Sequence, residues 1–253
     1  YSPFHIFMSG HSKWSTIKRQ KGAADAKRST VFTKLANTIS IAAREGGSDP
    51  SANFKLRLAI EKAHEANMPK ENIERSIKRG TGELGGAAFE HITYEAYAPG
   101  GAALLIDVNT DNRNRAIADI KAVLNKYNAK LAESGAVAFL FEQKGAMTVS
   151  GGDPNVIEMA IIDSGADDYF ATEPGNYQVY ANPHDTAAVA NHLREAGYMV
   201  ADIELRMEPK STIAITDGKT AKTLVALINQ LDDLGDVSAV FANFDIDPSV
   251  QIE

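Results

Sequence analysis

The chain contains no cysteine, which removes disulfides, thiolate nucleophiles and cysteine-based zinc sites together and suits a reducing cytosol. No apolar run approaches the roughly 18 residues a membrane span needs, so no membrane crossing and a cytoplasmic location are expected. The six histidines, His5, His11, His64, His91, His184 and His192, form no HxxxH or HExxH pair, and no structural metal is expected. Two phosphate-binding signatures are incomplete. Gly80 to Gly85 reads GxGxxG, but a helix precedes it and a strand follows, the reverse of a dinucleotide site, so it reads as a linker. Asp217-Gly218-Lys219-Thr220 resembles the tail of a P-loop, yet Ile213 stands where the first glycine must be, which leaves a helix cap with a solvated lysine. The acid pairs Asp167-Asp168 and Asp232-Asp233 lack a partner base or nucleophile and read as solvated surface. No catalytic residue and no cofactor site is assigned.

What is present is a division of charge. The net charge of -7 hides 15 Lys and Arg against 7 Asp and Glu from Met8 to Gly80, a balance of +8, and 11 against 26 from Thr81 onward, a balance of -15. Opposite signs confined to opposite ends mean that the first part meets a polyanion while the rest repels it. The basic character peaks between Met8 and Lys34, where Lys13, Lys18, Arg19, Lys21, Lys27, Arg28 and Lys34 face a single acid, Asp25. Trp14, the only tryptophan, lies among these cations, a flat ring able to stack on a base beside side chains able to neutralise phosphates.

The run GHSKWxxIKxxK, followed by DAKR and FTKL, resembles the opening of the YebC family, and the resemblance extends over nearly the whole chain from Met8. The family includes the mitochondrial translational activator of cytochrome oxidase. Its bacterial members carry the label of probable transcriptional regulators, and some are implicated in translation on the ribosome. Thr110-Asp111-Asn112-Arg113-Asn114-Arg115 resembles a second hallmark of the family, TDNRNR. Arg113 and Arg115 would fan from the first turn of a helix, where cations oppose the helix dipole. A phosphate, or a carboxylate of the neighbouring acidic module, would give them a purpose.

A chain of 253 residues suits two or three domains with small cores. Residues 1–7 carry no Lys or Arg and read as a cloning remnant or an upstream extension, too short for a signal or transit peptide. Residues 8–80 form a basic helical domain. Its first part, to about Ala24, is an arm that orders on a partner. One helix is expected from Thr33 to Glu45 and a second from an Asp49 cap and Pro50 to about Asn67, carrying Phe54, Leu58 and Ile60. A third, short one opens at Pro69 and stops at Gly80. Residues 81–88 are a linker. Residues 89–143 and 208–253 form a middle α/β domain. It has a hairpin turning at Pro99 to Gly101, a helix capped by Thr110 or Asp111, a strand at 136–141, and a strand, helix and strand after Pro209. Residues 144–207 read βαββαβ and form an inserted acidic domain. The fold class is therefore α+β: a basic helical domain plus two ferredoxin-like units, the second inserted into the first.

The function expected is non-enzymatic. The basic domain binds nucleic acid through Lys13, Trp14, Lys18, Arg19, Lys21, Lys27, Arg28 and Lys34, joined by Arg113 and Arg115. The resemblance implies a transcriptional regulator on DNA; the alternative is a translation factor on ribosomal RNA, with ribosomal or other basic proteins as further partners. Two rivals differ in class: an enzyme using Asp111, Arg113 and Arg115 in a cleft, and a scaffold that binds a basic protein through the acidic module without touching nucleic acid.

Overall fold

The computed structural model describes residues 28–173 and 175–250. They fall into two compact units, one of residues 28–139 with 213–250, the other of residues 140–212.

The first unit opens with three helices, α1 (Arg28–Gly46), α2 (Phe54–Glu65) and α3 (Lys70–Gly80). Ile39, Ala42 and Ala43 of α1 bury against Leu56, Ala59 and Ala63 of α2 and Ile73 of α3, a core of largely small side chains that lets the helices lie close. Three local expectations are corrected. Helix α1 starts five residues before Thr33, ahead of the apolar period. Asp49 does not cap α2: it accepts from the Ser51 backbone and hydroxyl, and the cap is Asn53, whose Oδ1 accepts from Leu56 N at 3.0 Å while its Nδ2 donates to Ala42 O and Gly47 O. Gly80 belongs to the last turn of α3, where a Cβ would collide with the Ser40 carbonyl oxygen, so it serves close helix contact and not a left-handed stop.

Strands β1 (Glu90–Tyr97) and β2 (Ala103–Thr110) form the expected hairpin, with Gly100 at φ 75° in the turn. Helix α4 (Arg113–Lys126) follows, then β3 (Lys130–Leu131), two residues that pair with β1 and are too short for periodicity to reveal. The strand expected at 136–141 does not form. Instead the buried Glu95 carboxylate accepts from the backbone N–H groups of Gly135, Val137 and Ala138, the last two at 2.6 and 2.8 Å, and folds this segment into a turn. Beyond the second unit come β8 (Ile213–Ile215), α7 (Gly218–Asp232), β9 (Val237–Ala242) and β10 (Phe244–Ile246). Strand order in the main sheet is β3-β1-β2-β9, all antiparallel, with β8 and β10 a separate parallel pair. These positions are those of a ferredoxin-like sheet, with β1 entering ahead of β2 in the chain. Ile120 and Leu124 of α4 and Leu224, Leu227, Ile228 and Leu231 of α7 are buried.

The second unit comprises β4 (Phe141–Ser150), α5 (Pro154–Asp163), β5 (Asp168–Glu173), β6 (Asn176–Ala181), α6 (Thr186–Glu195) and β7 (Met199–Pro209). Its antiparallel order, β5-β6-β4-β7, is that of a ferredoxin-like βαββαβ sheet. Strand β4 begins at Phe141, which pairs with Pro209, so it joins two segments that alternation alone separates. Among the described residues no helix is long and apolar enough to cross a membrane.

Candidate nucleic-acid interface

Lys13, Trp14, Lys18, Arg19, Lys21 and Lys27 lie outside the described residues. Arg28 is the first residue of α1, and Lys34 stands half-buried two turns later on the same helix. The basic stretch of the sequence therefore runs directly into α1.

Helices α1 and α3 enclose a groove of about 270 Å³, lined by Phe32, Thr33, Ala36 and Asn37 on one side and by Asn72, Arg75 and Arg79 on the other. Arg75 is exposed at this groove and has no ion-pair partner among the described residues. Arg79 is different. Its guanidinium lies 4.2 Å from the Phe89 ring centroid, Nη2 donates to Asn37 Oδ1 at 3.0 Å and Nε to Ser40 Oγ at 3.2 Å. Burial pushes its pKa down, and the charge of Asp111 opposes that shift.

Asn37 continues the network by donating to Asn109 O at 3.3 Å and Gly235 O at 3.5 Å, while Asn109 donates to Thr38 Oγ1 and faces His91 Nδ1 at 2.9 Å. Asn37 and Asn109 are both buried. The basic helices are thus tied to the sheet by paired amides, not by a flexible joint alone. Sequence reasoning missed Asn37, Arg79 and Asn109. The available signal was an amide at a core-facing position of an apolar helix and another at the end of an apolar strand.

The TDNRNR segment follows β2. Asn112 caps α4, with Oδ1 accepting from Arg115 N at 3.0 Å; Thr110 Oγ1 accepts from Asn112 N, so neither Thr110 nor Asp111 is the cap. The two arginines part here. Arg115 donates to both oxygens of Asp236, from Nη2 to Oδ1 at 3.0 Å and from Nε to Oδ2 at 3.0 Å, and to Asp111 at 3.0 Å. Its hydrogen bonds to Asp236 and then to Asp111 raise its pKa further, so its carboxylates come from its own unit and not from the inserted one. Arg113 is exposed, with no ion-pair partner among the described residues. A second depression of about 280 Å³ lies beside Arg115 and includes Asp119 and Asp236, a lining unsuited to phosphate.

Of the motifs read as bland, Asp217 caps α7 by accepting from Thr220 N at 2.8 Å, and Gly82 and Gly85 lie in turns with positive φ. Asp167 pairs with Lys144 at 2.9 Å. Among the described residues no group of three or more His, Asp or Glu gathers as metal ligands would.

Residues 12–83 match the model of the TACO1/YebC protein N-terminal domain, and residues 89–244 match that of the TACO1/YebC second and third domain. A probable transcriptional regulatory protein of Rubrobacter xylanophilus is 48% identical over 250 residues, covering 97% of this chain and 99% of its own. Another of that name, from Sulfurihydrogenibium, is 46% identical over 96% of this chain and 98% of its own. The crystal structure of a conserved hypothetical protein from Aquifex aeolicus superposes with a TM-score of 0.83 at 39% identity, over 92% of this chain and 96% of that one. The chain belongs to the TACO1/YebC family.

Proposed function

We propose that this protein is a non-enzymatic, cytoplasmic regulator of gene expression that docks on nucleic acid through its basic N-terminal domain, with DNA as the target. The carrying observation is the division of charge, +8 up to Gly80 and -15 beyond it, with seven cations between Met8 and Lys34. The names of the relatives, probable transcriptional regulatory proteins, support a regulatory role. Contacts from lysine and arginine to phosphate supply affinity without choice of sequence. The exposed Arg75 and Arg113 extend the set of available cations beyond the arm.

One observation favours a second reading, ribosomal RNA. Trp14 stands among lysines, and an aromatic ring among cations suits unpaired bases better than a closed duplex. Crosslinking in living cells, followed by sequencing of the attached nucleic acid, separates the readings when run beside Lys18→Ala/Arg19→Ala. Discrete DNA sites lost in the variant support a transcriptional regulator. Ribosomal RNA lost in the variant supports a translation factor, and recovery of neither overturns the basic-arm reading.

A further inference from the structure

Helix α5 carries large apolar side chains on two opposite sides, with the acids Glu158 and Asp163 among them. Ile157 and Ile161, one turn apart, are fully buried. The opposite side carries Val156, Met159 and Ile162, which are 56%, 66% and 61% exposed. Met199 is 71% exposed and pairs with Ser150, at the end of β4 from which the chain enters α5. A surface helix ordinarily pairs one apolar stripe with a polar outer face, and a helix apolar on both sides is one that is covered on both.

The surroundings select the covering group. Residues 153–168 contain Asp153, Glu158, Asp163, Asp167 and Asp168 and no lysine or arginine, and residues 140–212 carry 12 acids against 4 bases, a net charge of -8. Lys144, the cation nearest this set, is held by Asp167. A second copy would bring -8 against -8, and nucleic acid or an anionic membrane would be repelled in the same way. A protein segment with apolar anchors flanked by lysine and arginine matches both features. Val156 to Ile162 spans about 9 Å of helix, room for two successive anchors of a docking helix, which lie about 4.5–6 Å apart. Methionine suits such a surface because its side chain adapts to the partner.

We propose that the outer face of α5 is a docking surface for a basic amphipathic protein segment, distinct from the nucleic-acid interface proposed for the N-terminal domain. Apolar anchors of the partner cover Val156, Met159 and Ile162, and its cations meet the acids around them.

The test uses the full chain and a fluorescent helical peptide with leucines on one face and lysines on the other. Two control peptides replace all leucines with serine or all lysines with glutamate. The leucine-lysine peptide is expected to bind and to shift the Met159 methyl resonance. Met159→Gln/Ile162→Gln is expected to weaken that binding at least tenfold, whereas Met159→Leu/Ile162→Val, which keeps the face apolar, retains it; neither control peptide binds. Thermal melts of both variants match the parent, because the altered side chains are exposed. Equal binding of the serine control, or unchanged binding by the glutamine variant, would reduce the effect to general charge attraction and overturn the proposal. A dimer of the parent that the glutamine variant dissolves would assign the face to a second copy and overturn it equally.

Discussion

Glu95 shows how one buried charge replaces a strand. Burial raises its pKa, but the N–H groups of Val137, Gly135 and Ala138 together outweigh burial and hold the carboxyl below its ordinary value of 4.5. Because the folded value is the lower one, the ionised group adds stability above its unfolded pKa, and this is lost as pH falls through the folded value. Glu95→Gln is expected to cost about 1–3 kcal/mol at pH 7. Urea unfolding of both proteins should show the gap closing near pH 4 and below. Arg113 and Arg115 differ in the same local way. Arg115→Gln breaks a partly exposed pair and should lower stability by about 1 kcal/mol, with little change in nucleic-acid affinity. Arg113→Ala should leave the melting curve unchanged and weaken nucleic-acid binding. Thermal denaturation and a binding titration on the same preparations distinguish the two. Within TDNRNR only the spacing of Asp111 four residues before Arg115 tells these arginines apart, and the second partner of Arg115 lies 121 residues away at Asp236.

Among the elements, the contact between α1 and α3 is the most exacting. Gly80 lies against the backbone of Ser40, and Ser40 Oγ donates to Ser76 O at 2.8 Å. Gly80→Ala should therefore destabilise by about 1–3 kcal/mol, despite the better helix propensity of alanine, because the colliding atom is backbone and cannot turn aside. A lowered urea midpoint for this variant, beside an unaffected Lys78→Ala at an exposed position of the same helix, would confirm close packing as the cause. Helix positions were legible from the spacing of apolar residues, and hairpin turns from Gly and Pro. The ends of elements were less so. Asp49 and Asn53 are both good caps in sequence, and the deciding contacts are the donations from Asn53 to Ala42 on the preceding helix and to Gly47 just past its end. Strand β4 was divided because Lys144 and Gly145 interrupt its alternation, whereas β7 pairs with it through that interruption.

For the whole molecule, the division of charge predicts a steep dependence of nucleic-acid binding on salt. If Lys18 and Arg19 each neutralise one phosphate, Lys18→Ala/Arg19→Ala should reduce the slope of log affinity against log salt by roughly 1.8 on duplex DNA. An unchanged slope would place the contact elsewhere. The cations of the arm were visible in composition alone, while Arg75 at the groove and the half-buried Arg79 beside it became distinguishable only when α1 and α3 were brought together. The apolar outer face of α5 was equally hidden, because a run such as VIEMAII names a helix without saying which side has a neighbour.

The sequence by itself determined the partition of charge, the helices and the longer strands, the α+β class and the family, because each is a property of neighbouring residues or of their spacing along the chain. Tertiary structure alone decided that Arg115 is occupied by Asp236, that Asn37 joins α1 to Asn109 and Gly235, and that Gly80 must lack a side chain. These contacts join residues far apart in the chain, the longest across 198 positions from Asn37 to Gly235, and such a pairing exists only after the sheet and helices have packed.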